Sequence, residues 1–180
     1  MAGTQALVRP AAPEDAAQVL PVHIRARTTY YRGYLPDEVI AQQNHRSAAH
    51  CEAIIRNPAR TVRVAEFRGR VVGFLMIGPC YYADPDPTVT SELQQIHVDP
   101  DHFRRGIGSS LHAEGVGVWK AADVTAARLW AWDFNERARA FYLARGWVPD
   151  GHIPQDGPRI GRHRMTSYRL SIDLAERAPD

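Results

Sequence analysis

Thr61 to Phe67 reads as a strand, and polar and apolar residues alternate from Arg164 to Ile172. This is the period-two pattern of a strand with one face turned inward. Arg68-Gly69-Arg70 follows the first of these runs as a tight turn, and Val71 to Ile77 returns as its hairpin partner, interrupted by Gly73 where a bulge is expected. Shorter strands are expected at Leu7–Arg9, Glu92–Val98, Ala127–Trp132 and Trp147–Val148. Pro13-Glu14-Asp15 opens a helix that should run to about Thr29, and Pro36-Asp37-Glu38 opens a second that Pro58 ends. Gly106 to Ala121 is a third. A fourth begins after Asn135, a natural N-cap, carries Ala138, Phe141 and Tyr142 on one face, and stops at Gly146. Tyr30 to Leu35, Pro79 to Thr88 and Pro149 to Gly161 read as irregular connections, and Ala175 to Asp180 as a loose tail. The expected order is β-α-α-β-β-β-α-β-α-β-β.

Composition narrows the class. The 180 residues suit one domain, with its core over about 5–172. A formal net charge of +2 is too small to argue for a nucleic-acid partner, and aromatic and basic residues do not interleave. Lys120 is the only lysine in an otherwise arginine-based positive charge. Cys51 and Cys80 are too few for a disulfide framework or a metal site. No apolar run approaches a membrane span, and no signal-peptide core is evident, so a soluble cytoplasmic protein is expected.

The richest chemistry lies in Ile96-His-Val-Asp-Pro-Asp-His-Phe-Arg-Arg-Gly-Ile-Gly108. A strand ends at Asp99-Pro100, a polar loop brings two arginines, and two glycines open a helix. The first N–H groups of a helix have no internal partner, and its dipole adds partial positive charge there. Glycine lets an anion approach the bare backbone, so a phosphate or pyrophosphate fits. The expected ligands are the backbone amides of Arg105, Gly106, Ile107, Gly108 and Ser109, with charge from Arg104 and Arg105.

Val98-Asp-Pro followed by Arg-Arg-Gly-Ile-Gly, then Asn135-x-x-Ala138-x-x-Phe141-Tyr142-x-x-x-Gly146-Trp147, resembles the GNAT superfamily of acyl-CoA-dependent N-acetyltransferases. The resemblance covers residues 5 to 172 and is strongest from Glu92 to Trp147. It implies an α+β fold: a mixed, mostly antiparallel sheet of about seven strands, splayed between strands 4 and 5, with helices on both faces. It implies acetyl-CoA as cofactor. Backbone groups of Ile96, His97 and Val98 would meet the pantetheine arm, with Asn135 and Ala138 also near it. The family's Gln or Arg at the head of the loop is replaced by Phe103, next to which Arg104 is the natural substitute.

Acetylating an amine requires its proton to be removed. An alkyl ammonium of pKa about 10.4 costs roughly 4–5 kcal/mol to deprotonate at pH 7. Glu92 is the first candidate base, since it shares the strand face of Val98 six residues later. Asp133 is the second. His97 has a suitable ordinary pKa but points to the opposite face of a regular strand. The resemblance gives Tyr142 the role of proton donor to the departing thiolate. It also places Tyr30, Tyr31, Arg32 and Tyr34, between the first two helices, on the acceptor side. The expected partner is a small-molecule amine acceptor, with no nucleic acid, no membrane and a possible homodimer. The alternatives are a CoA-binding regulatory module without turnover and a protein N-terminal or lysine acetyltransferase.

Overall fold

The computed structural model describes residues 5–48, 50–82, 84, 86–152 and 159–175. The chain forms two compact units, Met1–Ile77 with Gln95–Gly115, and Gly78–Gln94 with Val116–Asp180. Strand β4 (Val89–Val98) and helix α4 (Ile107–Ala121) each run through the division between them.

In the first unit, β1 (Leu7–Pro10), β2 (Thr61–Phe67) and β3 (Arg70–Gly78) form an antiparallel meander. Ala65 faces Gly73 while Glu66 faces Val71, so Val72 is the extra residue of a bulge beside the expected glycine. The displaced Val72 carbonyl is not wasted, because it accepts the Asp99 N–H at 2.8 Å. Gly73 is also a close approach. A Cβ there would stand 3.1 Å from the His97 carbonyl oxygen and from Leu111, and 3.2 Å from Ile107. Helix α1 (Ala16–Tyr31) buries Val19 and Val22 against Val64, Val71 and Phe74, with Cys51 and Ile55 of α3 (Cys51–Ile55) at the edge. Full burial of such side chains stabilises by about 1.5–3 kcal/mol each.

Two expectations about helices are corrected here. Tyr30 and Tyr31, read as loop, form the last turn of α1, because Tyr31 is buried and completes its apolar face. The single helix expected from Pro36 to Pro58 is two, α2 (Asp37–Ala48) and α3.

In the second unit, β4 pairs in parallel with β5 (Ala126–Trp132), from Val89 to Leu93 against Ala126 to Leu129. The pairing stops there, although both strands continue. β8 (His163–Ser171) lies antiparallel to β5 along its full length, and pairs with β6 (Val148–Pro149) and β7 (Arg159–Ile160). The mixture of one parallel pair with antiparallel neighbours is the expected α+β arrangement. Helix α5 (Glu136–Leu143) begins at Asn135, whose side chain accepts the Ala138 N–H at 3.2 Å, as its identity required. Trp119, Trp147, Tyr142 and Tyr168 form an aromatic core. The indole of Trp119 is satisfied by the Ser91 hydroxyl at 2.8 Å, which in turn donates to the Gly78 carbonyl.

Candidate active site

The loop between β4 and α4 belongs to the first unit. Asp99 accepts the Asp101 N–H at 2.9 Å and starts a 3-10 turn over Pro100–His102. Arg25 of α1 grips Asp99 at 3.1 Å and Asp101 at 2.7 Å, which fixes the loop against the helix. Such a half-exposed pair adds little stability, so its value is in the shape it imposes. Arg104 then adopts φ of 59°, rare for a residue with a Cβ, and Gly106 has φ of 78°. These reversals carry the chain into α4 with Arg104, Arg105 and Gly106 exposed and Ile107 buried as the anchor. Nothing lies within 4 Å of a Cβ built on Gly106. The open backbone and the N-terminal turn of a fifteen-residue helix, whose first N–H groups point out of its end, suit a pyrophosphate. Gly108 and Ser109 fall in that first turn, and Phe103 caps the 3-10 turn before it.

Also in the first unit, His97 of β4 stacks on His23 of α1 with ring centroids 5.0 Å apart and on Tyr30 at 6.3 Å, with Phe74 beneath at 5.3 Å. Burial, helped by the charge of Arg27, lowers the His23 pKa to about 4. Tyr30 and Tyr31 contact each other at 4.5 Å, and Arg27 lies over the Tyr31 ring. Of the expected acceptor residues, Tyr31 is buried, Tyr30 joins the histidine stack, and Arg32 and Tyr34 are exposed. Ile96 and Val98 are half-buried on the same strand as His97.

The second unit holds the candidate bases and their charged neighbours. Glu92 is only 1% exposed, far from the solvated strand-end residue its sequence neighbourhood allowed. Its Oε2 accepts the Tyr81 N–H at 3.2 Å and the Trp130 indole N–H at 3.0 Å. Burial pushes its pKa up to about 7, against the opposing pull of those two donors and of Arg128. Around it, Trp130 meets Tyr82 edge-on at 5.5 Å and His152 at 5.6 Å. Arg128 stands directly opposite Glu92 in the strand register and is itself 3% exposed. Its guanidinium pairs with Asp84 and, at 2.8 Å, with Asp150.

Asp133 is committed differently. It binds His163 Nδ1 at 2.8 Å and the Arg164 N–H at 3.2 Å, holding the end of β5 to β8. Arg139 locks the same corner by donating to the Asp133 carbonyl and the Tyr168 hydroxyl. Tyr142 is buried between Phe141, Trp147 and Tyr168, and its hydroxyl makes no hydrogen bond among the described residues. Burial raises its pKa well above the ordinary phenol value, so it stays protonated. Phe141 is half-buried with Arg145 3.6 Å over its ring.

Arg128, Trp130 and Asp150 were not anticipated as parts of the site. Arg128 and Trp130 share a strand face by their spacing, but nothing local in the sequence sets that face against Glu92.

The acetyltransferase (GNAT) family profile matches residues 24–147. Mycothiol acetyltransferase of Acidimicrobium ferrooxidans is 37% identical over 90 residues, which is 48% of this chain and 27% of that protein. An uncharacterised N-acetyltransferase of Methanocaldococcus jannaschii is 24% identical over 140 residues, 78% of this chain and 59% of that one. The chain thus spans about a quarter and about three-fifths of the length of these two curated relatives. Among solved structures, PaiA N-acetyltransferase of Thermoplasma acidophilum, in complex with coenzyme A, superposes with a TM-score of 0.78. It has 17% identity, over 93% of this chain and 99% of that one. A GCN5-related N-acetyltransferase of Rhodopseudomonas palustris gives 0.68 at 23% identity, over 95% and 98%. With a profile match that covers more than half of its length, this chain belongs to the acetyltransferase (GNAT) family.

Proposed function

We propose that the protein moves an acetyl group from acetyl-CoA to a primary amine of a small molecule, with Glu92 as general base. The observation that carries this reading is Glu92 itself: a buried carboxyl group, held by two uncharged donors, with a pKa near 7. A base is most effective when its pKa lies close to the working pH. An ordinary surface glutamate, with a pKa about three units lower, would draw a proton from an ammonium far less readily.

The acyl donor supplies a thioester carbonyl. The backbone amides from Arg105 to Ser109, with Arg104 and Arg105, would hold its pyrophosphate. Backbone groups of Ile96, His97 and Val98, with Asn135 and Ala138, would align its pantetheine arm. The Ala138 N–H is already used by the Asn135 cap, so at that position the carbonyl or the methyl group must make the contact. Tyr142 has a proton to give and an uncommitted hydroxyl, which suits it to the sulfur that departs. Its raised pKa favours donating a hydrogen bond over full proton transfer. Asp133 is the weaker candidate for the base, since both its oxygens are engaged in holding β8. Tyr82, Trp130 and His152 around Glu92 favour a compact acceptor over a peptide chain. Tyr30, Arg32 and Tyr34 are proposed to contact the acceptor as well, while Tyr31 supports them from within the fold.

The test is release of free thiol from acetyl-CoA across a panel of amines, with acetyl-CoA binding measured alongside. Release with one class of small amine supports the reading. Tight binding without release from any amine or peptide points to a CoA-binding module, and the absence of binding overturns the proposal.

A further inference from the structure

Glu92 and Arg128 are abreast in the parallel pair β4·β5, and both are buried. A carboxylate and a guanidinium so placed would ordinarily form an ion pair, and an ion-paired glutamate is a poor base. Here the guanidinium is engaged by two other carboxylates. Its Nε faces Asp84, in the loop between β3 and β4, and its Nη2 binds Asp150, just after β6. Asp150 is itself held by the Ser167 hydroxyl and by the His152 N–H at 3.0 Å. Glu92 is left with Tyr81 and Trp130, both uncharged donors.

We propose that Asp84 and Asp150 are positioning residues: they hold the Arg128 guanidinium away from Glu92 and so keep Glu92 a proton acceptor instead of the carboxylate half of an ion pair. The inference rests on Glu92 acting as the base. Several titratable or charged groups surround Glu92: Cys80, Tyr81, Tyr82 and Asp84 from the loop before β4, Arg128 from β5, and Asp150 and His152 from the segment after β6. Three carboxyl groups therefore surround one guanidinium, and the two aspartates take it. In keeping with this, the attraction of Arg128 is the smallest of the influences on Glu92. Cys80, whose pKa burial pushes up to about 11, stays a neutral thiol.

The sign of the effect follows. Replacing Asp84 with Asn releases Arg128 toward Glu92 and removes a negative charge, and both changes favour ionised Glu92. The titration of Glu92 then moves to lower pH. It can be read without catalysis, because the Trp130 indole N–H donates to Glu92 and its NMR resonance follows the charge of that carboxylate. The resonance is assigned by its loss in Trp130→Phe.

In full-length protein, Asp84→Asn should lower the titration midpoint by about one pH unit, a tenfold fall in proton affinity. Asp150→Asn should act in the same direction and serves as the second variant if Asp84→Asn does not fold. Asp86→Asn breaks a different tether of the same loop, to Arg169, and should leave the midpoint alone. In an Arg128→Gln background, Asp84→Asn should lose most of its effect. A midpoint that does not move in folded Asp84→Asn and Asp150→Asn, or that moves equally without Arg128, overturns the proposal. If the midpoint falls but the pH–rate profile of thiol release does not follow it, the placement of Arg128 stands and the assignment of Glu92 as base fails.

Discussion

The indole N–H of Trp130 donates to Oε2 of Glu92 at 3.0 Å, from the strand alongside and two residues beyond the register partner Arg128. That bond joins the chemistry of the site to its fold. It favours the ionised form of a carboxyl group that burial would otherwise keep neutral. Trp130→Phe removes the donor while keeping most of the ring packing. A hydrogen bond to a charged group is worth about 1.5–3 kcal/mol, so the Glu92 pKa should rise by roughly one unit or more. The acid limb of kcat/KM against pH should move upward by that amount, with acetyl-CoA affinity unchanged. A limb that stays in place would separate Glu92 from the rate.

Glu92 also bears on stability. Its folded pKa of about 7 lies above the ordinary value of 4.5. The folded state therefore holds the proton more tightly than the unfolded one. The resulting stability is complete below about pH 4.5 and is lost as pH rises through 7, a change on the order of 3 kcal/mol. Glu92→Gln is uncharged at every pH, and its amide oxygen can accept from Tyr81 and Trp130. Thermal unfolding should show the variant more stable than the parent at pH 8.5, with the gap shrinking by pH 5.5. Thiol release should fall by about a hundredfold. A variant that loses activity and is less stable at pH 8.5 would show that Glu92 is held ionised.

How far the sequence reached depended on the range of the interactions. Strand β2 and the Asn135 cap emerge where they were expected, because a tight turn and a cap are local signals. The position of Gly73 foretold a bulge for the same reason. The break between α2 and α3 carries no proline or glycine, and the chain from Asp37 to Ile55 reads as one helix. Tyr30 and Tyr31 read as loop because the fold recruits His97 as the stacking partner of Tyr30 and supplies the burial of Tyr31. The site divides along the same line. The loop proposed to hold the phosphates could be read from residues 98–109, since a helix N-terminus with glycines is a contiguous feature. The burial of Glu92 depends on Tyr81, Arg128 and Trp130, and the partners of Arg128 come from Asp84 and Asp150. Only the strand register β4·β5 joins these groups.

Tyr142 offers a cleaner separation of chemistry from structure. Its hydroxyl makes no hydrogen bond among the described residues, so Tyr142→Phe should change the unfolding temperature little. Turnover should fall by about a hundredfold if the hydroxyl serves the departing sulfur. Acetyl-CoA affinity, measured by calorimetry, should hold within about threefold, or roughly 0.7 kcal/mol. Unchanged turnover would remove Tyr142 from the reaction.

Arg104 combines strain with function. It holds φ of 59° with a Cβ, a conformation that costs roughly 1–2 kcal/mol and that glycine adopts freely. Its side chain is exposed, in the loop that leads into α4. A residue kept in an unfavourable conformation at such a place is explained if its charge is needed there. Arg104→Gly should therefore split two properties that usually change together. The unfolding temperature should hold or rise by a few degrees as the strain is relieved. The Kd for acetyl-CoA should rise by about three- to tenfold, and its dependence on salt should weaken, because one cation near the pyrophosphate is gone. If affinity were unchanged while stability rose, Arg104 would be only a poorly chosen turn residue, and the anion would have to be held by the α4 amides and Arg105 alone.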